Sequence, residues 1–178
     1  MLYLKTGVDT VQFCLRPWRE TDAESITKYA NNRKVAQNLR DVFPFPYTLE
    51  DARRYAADCV KSDGNGKLVR AIEVGGEAVG SISIFVEQDV YRKSAEIGYW
   101  LGEPFWGRGI MSQAVKQLCE EAWERFDIVR IFAEPFARNL GSRRVLEHAG
   151  FQLEGIKRSS VYKNGELLDS CIYALVKE

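Results

Sequence analysis

The residues best suited to chemistry stand where a strand pattern gives way to a helical one. Residues 95–101 alternate, with Ile97, Tyr99 and Leu101 on one face and Glu96, Gly98 and Trp100 on the other. Trp106-Gly107-Arg108-Gly109-Ile110-Met111 follows, and from Ile110 a helical period runs through Ala114, Val115, Leu118, Cys119, Ala122 and Phe126. Gly107 and Gly109 carry no side chain, so the backbone there can approach a ligand and adopt angles closed to other residues. The first N–H groups of a helix lack intrahelical partners, and the helix dipole adds partial positive charge at that end. Such a junction suits a phosphate or pyrophosphate. The plainer reading is that the two glycines only let the loop turn and the helix pack.

Two nucleotide motifs fail on residues. A P-loop needs Lys and Ser or Thr directly after its last glycine, and here Ile110 and Met111 follow Gly109. The dinucleotide fingerprint wants three glycines after the first strand of a parallel array. This chain has two, about one hundred residues in, behind antiparallel-looking strands.

A second constellation, Asn139-Leu140-Gly141-Ser142, opens a helix over residues 139–149 that Gly150 ends as a left-handed cap. By itself Ser142 reads as a first-turn hydroxyl satisfying the helix N-terminus. His148, the only histidine, comes late in that helix, as a surface residue or a partner for the C-terminal dipole. Cys14, Cys59, Cys119 and Cys171 are scattered singly, without metal-ligand spacing or a disulfide framework, and read as core or half-buried thiols. No metal is expected. Trp100, Trp106 and Trp123 read as packing residues.

The elements that must hold these residues follow from period and punctuation. Thr21 and Glu24 have capping-box spacing and start a helix whose apolar positions are Ala23, Ile26, Ala30 and then Val35. Two prolines within residues 43–47 break it. Thr48 caps a second helix with Ala52, Tyr55, Ala56 and Val60 as its stripe. Strands at 68–74 and 78–86 join through Gly75-Gly76, a short strand at 129–133 stops at Pro135, and a last hairpin, 151–162 with 167–176, turns at Asn164-Gly165. The order describes one mixed α/β domain over residues 1–178.

Strand with Glu96, Gly107-X-Gly109, long helix, strand, Asn139-X-X-Ser142, helix and Gly150-Phe151: in this combination most of the chain resembles the GNAT acyl-CoA N-acyltransferases. The Phe-Pro-Phe-Pro-Tyr loop and Trp106-Gly107-X-Gly109-X-Met111 are most similar to the branch containing the ribosomal-protein N-terminal alanine acetyltransferases. The resemblance implies a mostly antiparallel mixed sheet splayed at its centre, with helices on both faces. It implies that a pantetheine arm pairs with Tyr99, Trp100 and Leu101 and is hydrogen-bonded by Asn139. The pyrophosphate would rest on the backbone of Trp106, Gly107, Arg108, Gly109, Ile110 and Met111. The broad family often has Arg or Gln in place of Trp106 and a small residue in place of Met111; binding through backbone N–H groups survives both changes.

The catalytic expectations rest on the same resemblance. Glu96 matches a strand glutamate used as base, directly or through water; its alternative is a surface carboxylate held in a salt bridge. Many members place a tyrosine acid where this chain has Leu146, and the related branch suggests Ser142 as the thiol-side donor instead. A base used elsewhere in that branch falls on Val161, which takes no proton. Arg143 and Arg144 either meet cofactor phosphates or solvate their helix.

The implied reaction is acetyl transfer from acetyl-CoA to a primary amine, with a peptide or protein N-terminus favoured as acceptor. A polyamine or aminoglycoside acceptor, or an acyl-CoA-binding regulatory protein without transfer, are the alternatives. Selectivity is expected in loops such as residues 43–47 and 159–165. With Lys plus Arg and Asp plus Glu both at 25, no field draws nucleic acid or an anionic membrane. No apolar run nears the roughly 18 residues of a span, and residues 1–7 carry no export signal, so a cytoplasmic protein is expected. Oligomeric state is not legible.

Overall fold

The computed structural model describes residues 11–177. The N-terminal stretch read for an export signal lies outside them. Seven strands form one sheet in the order β1-β2-β3-β4-β5-β7-β6: β1 Cys14–Arg16, β2 Lys67–Val74, β3 Glu77–Val86, β4 Ser94–Leu101, β5 Arg130–Ala133, β6 Gln152–Lys163 and β7 Glu166–Val176. The helices are α1 Ala23–Ala30, α2 Arg33–Ala36, α3 Leu49–Ser62, α4 Ile110–Arg125 and α5 Leu140–His148. Single 3-10 turns occur at Glu20–Asp22, Asp89–Tyr91 and Glu103–Phe105.

Every neighbouring pair is antiparallel except β4 with β5. That parallel contact holds only Ser94↔Arg130, Ala95↔Ile131 and Glu96↔Phe132. β5 is four residues long and stops before Pro135, whereas β4 runs on from Ile97 to Leu101 without it. The sheet therefore splits at its centre.

Helices cover both faces. Tyr55 of α3 hydrogen-bonds Ser81 at 2.7 Å, while Arg70, in register with Ile82, reaches Glu121 of α4 at 2.7 Å. Ser81 and Ile82 are successive residues and point to opposite faces. Register then places Glu96, Gly98 and Trp100, opposite Phe85, Ser83 and Ser81, on the α3 side. Tyr99, opposite Ile82, faces the α4 side.

Local pattern explains most elements. The predicted stripe of α4 is buried from Ile110 to Ala122. Thr48 and Asp51 form the capping box of α3. Asn164 and Gly165, both at positive φ, turn the β6–β7 hairpin.

Four expectations are corrected. Thr21 does not cap α1; the chain enters through the turn Glu20–Asp22, where the Asp22 carboxylate accepts from Arg19 N at 2.9 Å. Asp22 is held there because the buried Arg16 guanidinium grips it at 2.8 and 2.7 Å, a tertiary contact that overrides local spacing. Val35 is buried but lies on the separate helix α2, which Asn32 caps. Val60 leaves the α3 stripe for solvent, and Cys59 takes the buried place. Cys14 is exposed because β1 is a short edge strand.

Candidate active site

The glycine loop has the conformation that its residues demand. Gly107 and Gly109 sit at φ 72° and 74°, the left-handed region where a β-carbon is penalised. A β-carbon added at either would meet nothing within 4 Å, so the space before the loop is open and the requirement is one of backbone shape. Among the described residues, the N–H groups from Gly107 through Ser112 find no hydrogen-bond partner. Gly109 starts α4 without a side-chain cap. Six free donors at the positive end of a 16-residue helix make an anion cradle. The Trp106 indole N–H donates to the Leu101 carbonyl at 2.7 Å and ties the loop to the end of β4, while its ring is exposed rather than packed inside. Arg108 is exposed on the same loop.

The split supplies a free backbone edge. Gly102 N donates to Val79 O at 2.8 Å, so by antiparallel alternation Trp100 turns its backbone groups to β3. Tyr99 and Leu101 turn theirs to the gap, where the Leu101 carbonyl is already taken by Trp106. The Trp100 side chain is buried on the other face, its ring 5.7 Å from that of Phe43.

On the α4 side the Tyr99 hydroxyl lies 2.9 Å from the Ser142 hydroxyl and 3.3 Å from the Ser142 carbonyl. Burial drives the Tyr99 phenol well above its ordinary value, so it stays protonated and can donate. The capping duty that Ser142 could have performed belongs to Asn139, whose Oδ1 accepts from Ser142 N at 3.2 Å. The serine hydroxyl is thus available for a ligand. Leu146 is wholly buried in the core. Strand alternation, which points the Tyr99 side chain away from Glu96, is the sequence signal for this hydroxyl.

On the α3 side Glu96 is ion-paired with Arg40, from the segment between α2 and α3. Arg40 also lines a cleft of about 300 Å³, with Asp41, Glu134, Val161, Tyr162 and Lys163 among the other walls. Glu134 stands two residues beyond Phe132, which pairs with Glu96 in the last rung before the split. Burial alone would raise its carboxyl, but hydrogen bonds from Ser170 at 2.6 Å and Lys157 at 2.9 Å, with the Arg40 charge nearby, bring it below the usual range. Lys163, nearly buried, pairs with Asp41 at 2.6 Å and fastens the β6–β7 hairpin to the α2–α3 segment. Arg40, Asp41 and Glu134 carried no sequence signal, because each acts through contacts distant in the chain.

Arg143 turns inward, donating to Tyr173 at 3.1 Å and to the Ala137 carbonyl at 3.2 Å, while Arg144 and His148 are exposed. The four cysteines are free thiols. Among the described residues no three metal-ligating side chains cluster, and no helix is long and apolar enough to cross a membrane.

The chain is similar to known proteins. YjcK of Bacillus subtilis (strain 168), named a probable N-acetyltransferase, is 40% identical over 98 residues, which span 55% of this chain and only 54% of YjcK. YdaF of the same strain, provisionally named a ribosomal N-acetyltransferase, is 33% identical over 153 residues, 84% of this chain and 75% of YdaF. The solved structure of RimL, a ribosomal L7/L12 alpha-N-protein acetyltransferase in complex with coenzyme A, superposes with a TM-score of 0.82 at 28% identity, covering 96% of this chain and 97% of RimL. The family model described as "Acetyltransferase (GNAT) domain" matches residues 12–152, from β1 through the glycine loop to the start of β6. With the split sheet, the open glycine loop and this match in agreement, the chain belongs to the GNAT acetyltransferase family.

Proposed function

We propose that this protein transfers the acetyl group of acetyl-CoA to the amine of a peptide or protein N-terminus, as a single catalytic domain working in the cytoplasm. The observation that carries the reading is the run of six free N–H groups from Gly107 to Ser112 beside the unpaired edge of β4. The run fits a pyrophosphate, and the edge fits an extended amide-bearing arm through Tyr99 and Leu101, with the Asn139 side-chain NH2 as a further donor. Acetyl-CoA brings the acyl group activated as a thioester.

The residues divide the remaining work by face. Glu96 takes a proton from the incoming ammonium, directly or through water, so that the nitrogen lone pair can attack the thioester carbon. As the carbon–sulfur bond breaks, the Ser142 hydroxyl donates to the departing sulfur, and Tyr99 donates in turn to Ser142. The hydroxyl pair supports transfer over mere acyl-CoA binding, since it supplies a donor where Leu146 offers none. Free thiols suit a reducing compartment.

Thiol release from acetyl-CoA, measured across peptides, polyamines and aminoglycosides, tests the reading. Turnover with peptides at least tenfold above the other amines supports it. Turnover only with a small polyamine or aminoglycoside overturns the acceptor, and no turnover with any amine overturns the transfer.

A further inference from the structure

We infer that Arg40 selects the acceptor, favouring an amine with a carboxylate a few bonds away; this rests on the acetyl-transfer reading above. The charges around the acceptor cleft are matched in pairs. Asp41 holds Lys163 at 2.6 Å, Glu134 holds Lys157 at 2.9 Å, and Glu96 holds Arg40. A net field therefore cannot choose the ligand, and the choice falls to donors left unused.

Arg40 has them. A guanidinium carries five N–H donors in a planar fork. Among the described residues only Nη2 of Arg40 donates, to Glu96. Nε and Nη1 are unengaged, on a side chain that is 71% exposed and lines the cleft. Such a fork matches a carboxylate with two parallel hydrogen bonds, which an ammonium does not do. The two lysines differ: Lys163 is 8% exposed and turned onto Asp41, and Lys157 is turned onto Glu134.

Glu96 also fixes where the fork stands. Anchored to β4 at the edge of the split, Arg40 holds an anionic group within about a side chain's length of the amine that Glu96 deprotonates. A cleft of about 300 Å³ has room for one or two amino-acid residues. The matching chemistry occurs in a peptide with Asp or Glu at its first or second position and in a free α-amino acid.

Two substrate pairs separate these sources: the tetrapeptide amides Ala-Glu-Ala-Ala and Ala-Gln-Ala-Ala, and alanine with alaninamide. The expected result is about a tenfold higher kcat/KM for the acidic member of at least one pair, carried by KM. Arg40→Ala abolishes that preference, and Arg40→Lys restores part of it. Calorimetry of the same four compounds on the CoA-saturated protein repeats the comparison without turnover. Absence of acetyl transfer therefore removes the proposed function, while the binding preference still decides the role of Arg40. Equal binding of both members of each pair, or a preference that survives Arg40→Ala, would overturn it. An equal fall in kcat for all four compounds would also overturn it, leaving Arg40 as a residue that only positions Glu96.

Discussion

Tyr99 and Glu96 stand three residues apart on β4 and serve opposite faces of the sheet. Tyr99 meets Ser142 at 2.9 Å beneath α4 and α5, and Glu96 meets Arg40, which lines the cleft on the α3 side. Between the two faces, β4 presents an unpaired edge beyond Glu96. β4 has that edge because β5 ends at Ala133. In the proposed reaction, proton removal and thiol release are thereby separated in space, and each is expected to be disabled alone.

The hydroxyl pair gives a non-additive signature. Ser142→Ala lowers kcat about 10- to 100-fold, or about 1.4–2.7 kcal/mol, with the affinity for CoA nearly unchanged. Tyr99→Phe lowers kcat less, and the double variant is no slower than Ser142→Ala, because the tyrosine acts through the serine. Steady-state rates at saturating acetyl-CoA check this. Additive losses would show two independent roles.

Glu96→Gln keeps shape and hydrogen bonding but removes the proton acceptor. A loss in kcat of about 10²-fold or more is expected, with CoA affinity intact. Full activity of the variant across about pH 6–9 transfers the role to water or to the acceptor's own ionisation.

Gly109 is held by backbone shape alone, so the kind of side chain matters more than its size. Gly109→Val, β-branched at φ 74°, reduces CoA affinity at least tenfold, about 1.4 kcal/mol. Gly109→Asn, which tolerates the left-handed region, retains most of it. Calorimetry on variants with native circular dichroism distinguishes the two.

Acid stability carries the mark of Glu134. Its carboxyl titrates below the usual 4.5, so the folded state binds the proton less readily than the unfolded one. The stabilising contribution is present above that usual value and disappears as pH falls through the lower folded one. Glu134→Gln is therefore less stable than the parent at neutral pH, and the gap closes as acid is added. Urea midpoints at about pH 7 and pH 3 measure it. A gap that stays constant rejects the linkage.

Periodicity made the scaffold readable. The α4 stripe, the hairpins at Gly75-Gly76 and Asn164-Gly165, and the glycine loop are local in sequence and stand where their patterns place them. The side-chain meetings were not readable, since Tyr99 and Ser142 are 43 positions apart and Arg40 and Glu96 are 56. The misplaced cap at Thr21 has the same origin: Arg16 claims Asp22 through the fold. Alternation could assign Tyr99 to a face but could not name its partner.

The pairing of Lys163 with Asp41 has a consequence for redesign. The proposed cofactor half of the protein is nearly contiguous, from β4 to the start of α5, whereas the proposed acceptor entrance is stitched from segments 122 positions apart. Grafting a relative's β6–β7 hairpin by itself would leave Asp41 without its buried ammonium and Lys163 absent from a site shaped to hold it. If the proposed entrance sets acceptor preference, exchanging that preference requires residues 37–41 and 159–165 to move together, as one module made of two strips.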